Sequence, residues 1–359
     1  MSTLKTIGSL AFIALITVGC GPTQQEQAQV DCDAAGDMNF VCGPTNAEDL
    51  VLTPGTDFIL SSGMSAGAGI YLVEASSGSW SQLEFDTQPD ASTFANCPAP
   101  PAAEELETHG LNIRAVSDEA ALLYVVGHGG REAIEVFEVD SGGRSPELTW
   151  IGCVLMPDGL AANSVASFED GSIVATVLLR PGTTFADAVV DMKPTGGVYK
   201  WSPGDSGFTL LVGSELPANN GIEVSADGSE IYVASSGYQT IVKFSNTNPV
   251  RMLGATRRLP ITPDNVHMGS NGMLLTAGMK NDVPECGGPP GPAHDLATLA
   301  SCPRGTIAIE IDPATMEERV IVETPATELF SNATMVLTHN DQYWVGTFSG
   351  DKILYGALP

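Results

Sequence analysis

Four oxygen-bearing side chains recur at one place in a repeated pattern. Asn163, Asn220 and Asp264 each stand seven residues before a two-residue turn, Asp170-Gly171, Asp227-Gly228 and Asn271-Gly272, and Glu48 stands seven before Gly55, one residue out of phase with the others. Two carboxylates and two amides are hard oxygen donors, and a cage of such donors suits calcium rather than zinc or copper. A second pair of groups can do chemistry beside such an ion. His109 and His128 lie on either side of the turn Ser117-Asp118-Glu119-Ala120, which falls midway between them, so a hairpin there sets the two rings face to face. Two facing imidazoles next to a metal can act as a general base and the group that orients it. In this unit the position in register with the four oxygens is Leu111, which has only backbone to offer, and His109 lies two residues earlier on the same face.

Those positions converge only if their segments share an axis. Six segments, 49–63, 111–128, 164–176, 221–236, 265–278 and 334–347, each read as a β-rich run, a Gly, Asp or Asn turn, and a second β-rich run. Asp-Gly and Asn-Gly between such runs are strong hairpin signals. Further strand-like runs at 133–141, 196–202, 240–245 and 305–312 lie between the hairpins. Hairpin plus hairpin makes a four-stranded blade, so the sequence predicts an all-β fold, a six-bladed β-propeller with four-stranded blades around a central channel. The first strand of each blade then lines the channel, and equivalent positions meet at its mouth. Gly63-Met64-Ser65-Ala66-Gly67 matches a G-x-S-x-G nucleophile motif, but that motif works between a strand and a helix, and here another strand follows.

The formal net charge is −28, from 43 acidic and 15 basic residues, which excludes a nucleic-acid partner because phosphate backbones would be repelled. Lys5 followed by the apolar stretch 7–18 reads as a targeting segment too short to span a bilayer. Ile16-Thr17-Val18-Gly19-Cys20 resembles a bacterial lipobox, with Thr17 where Leu is usual. The expected organisation is a lipoprotein signal peptide at 1–19, a polar linker anchored through lipid on Cys20 at 20–44, and the propeller at 45–359. The expected location is outside the cytoplasm, in the periplasm or at the cell surface. Six cysteines remain, enough for up to three disulfides in an oxidising compartment, with Cys286 and Cys302 the favoured pair because they bracket one Pro/Gly-rich loop. That loop, 279–304, and a second one, 86–108, are long enough to shape a substrate mouth.

The string from Ala218 to Gly228 (Ala-Asn-Asn-Gly-Ile-Glu-Val-Ser-Ala-Asp-Gly) resembles the hallmark segment of the paraoxonase family of arylesterases and lactonases. So do Ala47-Glu48-Asp49-Leu50, His109-Gly110-Leu111, Asp264-Asn265 and the closing Leu354-Tyr355-Gly356-Ala357-Leu358, in the same order from about residue 45 onward. The resemblance implies a catalytic calcium on Glu48, Asn163, Asn220, Asp264 and Asn265. It also implies a His109/His128 dyad that activates water for hydrolysis of a small lactone or ester. A second, structural calcium in that family would use Asp49, the Leu111 carbonyl and an aspartate where this chain has Ser164. The related regucalcin/gluconolactonase family shares the four-oxygen cage without the dyad. Alternatives are therefore a sugar-lactone hydrolase of that kind, or a binding propeller that calcium merely stabilises.

Overall fold

The computed structural model describes residues 32, 34–36, 38–281, 283–286, 298 and 301–359; the targeting segment, Cys20 and the 287–290 Gly/Pro run lie outside the described residues. Six sheets, antiparallel apart from one added edge strand, follow one another along the chain. Their first strands are Ala47–Leu52, Glu107–Ser117, Val165–Ser167, Asn219–Val224, Ile261–Met268 and Ala333–His339. Each touches the first strand of both neighbouring blades, and Ala47–Leu52 meets Ala333–His339, so the six inner strands close into a ring. The fold is a six-bladed β-propeller. All six expected hairpins form the inner two strands of a blade, and Ala133–Asp140, Gly197–Trp201, Thr240–Ser245 and Thr306–Ile311 are third strands.

Two features depart from the expected plan. The second blade carries a fifth strand, Phe85–Thr87, which pairs in parallel with Glu147–Leu155. The polar linker does not run to residue 44: Asn39–Cys42 is the outermost strand of the last blade, paired with Lys352–Ala357. Phe40 and Val41 are buried there, which a solvated tether would not tolerate. The N-terminal segment thus completes the sheet that the C-terminus begins.

Apolar layers fill the spaces between blades. Leu50, Ile59 and Val73 of the first blade pack with Trp344, Val345 and Ile353 of the sixth, and equivalent layers join the other neighbours. The turn glycines Gly55, Gly171, Gly228 and Gly272 all have positive φ, which only glycine adopts without strain. Disulfides join Cys32–Cys42, Cys97–Cys153 and, as expected, Cys286–Cys302. Ser65 sits in the turn between Phe58–Gly63 and Ile70–Glu74, where its hydroxyl accepts from Asn46 Nδ2, a structural arrangement with no helix behind it.

Candidate metal centre

Five of the six inner strands meet their partners through a ladder that slips near its start. The pairing breaks between Ala47 and Leu50, Thr108 and Leu111, Asn219 and Ile222, Pro263 and Val266, and Ala333 and Val336. The extra residues of such a bulge leave the regular alternation and re-aim their side chains. They are Glu48-Asp49, His109-Gly110, Asn220-Gly221, Asp264-Asn265 and Thr334-Met335. In the third blade Asn163 and Ser164 sit just ahead of the strand, tied to Thr176 by backbone hydrogen bonds. The register position of the second blade is therefore His109 rather than Leu111. Its inner strand is longer because a second bulge follows Ala115, which displaces any count made back from the turn.

Of the oxygens expected at the axis, those of Glu48, Asn220, Asp264 and Asn265 are brought together, and Asn163 stands at the matching place in the third blade. Asn265 Nδ2 donates to Glu48 Oε1 at 2.6 Å, and Asn220 bonds the Asp264 carboxylate. Asn220 Nδ2 also donates to Ser236 Oγ at 3.1 Å, and that hydroxyl donates to Pro263 O. With their nitrogens engaged in this way, the amides present oxygen elsewhere. Glu48 Oε2, Asn163 Oδ1, Asn220 Oδ1 and Asn265 Oδ1 are all buried and have no hydrogen-bond partner. A buried oxygen without a donor costs about 1–3 kcal/mol, and a bound cation would satisfy these four, from four different blades, together.

The carboxylates agree. Burial, then the charges of Asp264 and Asp49, push the Glu48 carboxyl well above its ordinary range. Asp264 is pushed up to about 7 by burial, although the Asn220 bond works against the shift. Among the described residues no Lys or Arg pairs with either group, and no three His, Cys, Asp or Glu side chains are grouped to hold a metal ion, so a cation here would depend on the amide oxygens as well. The residues present thus fit a hard divalent cation held by Glu48, Asn163, Asn220, Asp264 and Asn265.

A second ion does not fit. Leu111 meets Asp49 through its N–H, 2.7 Å from Oδ2, and not through its carbonyl. The other oxygen accepts from Leu50 N, and His267 Nε2 lies 2.9 and 3.0 Å from the two carboxylate oxygens. Glu223 Oε2 stands 3.6 Å from the far nitrogen of the same ring. Burial alone would lower the His267 pKa, but Asp49 and then Glu223 outweigh it and push it up to about 10. A protonated imidazole already supplies the counter-charge that Asp49 needs. His267 was missed because the bulge at Asp264-Asn265 breaks the alternation that would have related it to the ligands on its strand.

The histidines meet as the hairpin requires. His109 Nδ1 lies 3.2 Å from His128 Nε2, and His109 Nε2 lies 3.8 Å from Glu48 Oε1. Burial, helped by His128, holds the His109 pKa down to about 3, so its ring is neutral. A small cavity of about 180 Å³ opens beside His128, lined by Pro100, Pro101, Leu106 and Arg131 among others. Its wall is the long segment after Thr87, which the Cys97–Cys153 bridge ties to the blade beneath.

No family model matches this sequence, and no curated protein matches it. Solved structures do. A gluconolactonase from Xanthomonas campestris is 16% identical, with a TM-score of 0.52 over 90% of this chain and 89% of its own. A luciferin-regenerating enzyme is 13% identical with a TM-score of 0.52, covering 88% and 91%. The calcium-binding protein regucalcin from Agrobacterium tumefaciens is 11% identical with a TM-score of 0.50, covering 89% and 92%. At these identities the likeness is one of fold.

Proposed function

We propose that this chain is a calcium-dependent hydrolase of lactones or aryl esters, in the manner of the paraoxonases. The observation that carries the reading is the set of four unpartnered buried oxygens next to a facing histidine pair. The gluconolactonase among the similar structures supports the reaction class, and regucalcin supports the choice of ion.

A calcium ion on Glu48, Asn163, Asn220, Asp264 and Asn265 would polarise a substrate carbonyl and favour the charge that develops on its oxygen. His109, neutral and beside Glu48, takes a proton from water at Nε2 while the resulting hydroxide attacks the carbonyl carbon. His128 holds the His109 ring from behind. The proton then passes to the departing alkoxide, and the acid product leaves. The second reading, a gluconolactonase-like hydrolase, needs no dyad; the 3.2 Å contact between the rings favours the first.

A panel of lactones and aryl esters, assayed with calcium and with chelator, tests this. His109→Gln should lower kcat about 10²–10⁴-fold with calcium affinity retained. Full activity in both His109→Gln and His128→Gln would leave the metal to act without the dyad. Absence of any calcium-dependent turnover would leave a binding propeller. We also propose export on a lipid at Cys20; three disulfides support an oxidising compartment. Fatty-acid labelling that persists in Cys20→Ser would refute the anchor.

A further inference from the structure

We infer that Glu132 is a positioning residue that fixes the tautomers of both histidines, leaving the lone pair of His109 Nε2 facing the axis. This rests on the hydrolase reading for its purpose but not for its geometry. Glu132 Oε2 lies 2.7 Å from His128 Nδ1. A carboxylate only accepts, so His128 Nδ1 must carry the hydrogen. In the neutral ring Nε2 is then bare, and the 3.2 Å contact requires His109 Nδ1 to donate to it. His109 therefore carries its single hydrogen on Nδ1. Its other nitrogen, 3.8 Å from Glu48 Oε1, is the free base.

The neighbouring charges leave Glu132 to this task. Arg131 is the adjacent cation, but its Nε and Nη2 are spent on the two oxygens of Glu135, and its Nη1 on Ala99 O. Glu135 in turn accepts from Trp150 Nε1. Glu105 is the other acid on the cavity wall. When His109 Nε2 gains a proton from water, the Nδ1 hydrogen moves to His128 Nε2. The positive charge then rests on His128, between His109 and an anionic Glu132 that is partly open to solvent. Proton and charge balance, and the relay runs backward to protonate the leaving group.

The test uses the full chain labelled with 15N-histidine, whose five histidines give few enough signals to assign by substitution. Long-range proton–nitrogen correlations report which ring nitrogen of His109 and of His128 carries hydrogen. The wild type should show both rings protonated at Nδ1. Glu132→Ala should shift His128 toward the Nε2–H form and His109 with it, and should lower kcat about 10–100-fold with KM little changed. Glu132→Asp should restore part of both. An unchanged His128 tautomer in Glu132→Ala overturns the inference whatever the activity does. Conversely, a wild type that hydrolyses nothing overturns the hydrolase reading, while the tautomer signals still decide the role of Glu132.

Discussion

Two titratable groups at the axis have pKa values raised in the folded state, over different pH intervals, and each gives a prediction. His267 has a folded pKa raised from 6.5 to about 10. Its contribution to stability is fully present below the unfolded value and is lost as pH rises through about 10. Replacing it by Ala leaves Asp49 buried without its counter-charge, at a cost of about 3–5 kcal/mol in denaturant unfolding at neutral pH. An unchanged midpoint would mean that Asp49 needs no cation. Asp264 acts in the same direction at lower pH, because a raised carboxyl pKa likewise means that the native state binds the extra proton. Without calcium, stability should fall as pH rises from about 4 to about 7, the interval between its ordinary 3.8 and its folded value. With calcium in excess the carboxylate is held ionised in the native state, and that fall should vanish. Thermal melts with chelator and with calcium across this interval read the difference directly.

The inner strands translate sequence into that geometry, and they show what was legible beforehand. The Asp-Gly and Asn-Gly turns carry a local signal, since their backbone needs positive φ, and from them the hairpins and the blade count followed. The bulges carry no such signal. They are set by how neighbouring inner strands press together, a tertiary matter, so counting from the turn placed Asn163, Asn220 and Asp264 correctly yet put Leu111 where His109 belongs. Glu132 escaped because a glutamate in a connecting turn reads as an ordinary solvated acid until His128 is known to point at it. The pressing itself is measurable. A Cβ on Gly221 would fall 2.5 Å from Asp264 O and 2.6 Å from Asn265 Cα. Backbone cannot yield there without moving two proposed ligands of the next blade. Gly221→Ala should therefore cost about 1–3 kcal/mol of stability and should weaken calcium binding in titration calorimetry, although no ligand has been altered. A weakened fold with unchanged calcium affinity would show that the ligands are not held by strand contact.

For the whole molecule, the ring must close if six blades are to hold oxygens from four of them at one point. Closure rests on a strand that the sequence disguised as linker. Asn39–Cys42 pairs over its full length with Lys352–Ala357, Phe40 packs against Phe330, and Trp80 of the first blade donates its indole N–H to Cys42 O. The strand thus joins the last blade on one side and touches the first on the other. It lies at the outer rim, far in the sheet from the inner strand that carries Thr334. Yet the seam it secures is the one where Thr334 Oγ1 donates to Glu48 O and where a Cβ on Gly346 would strike that same carbonyl. Loosening the rim frees the first blade to drift from the sixth and takes Glu48 out of the cage. Phe40→Ala should cost about 3–5 kcal/mol by cavity formation and weaken calcium binding from a distance. A chain beginning after residue 42 should do both more severely. If that shortened chain melted with the full-length protein and bound calcium as tightly, the blades would be closing through their apolar layers alone, and the N-terminal strand would be no part of what holds the metal centre together.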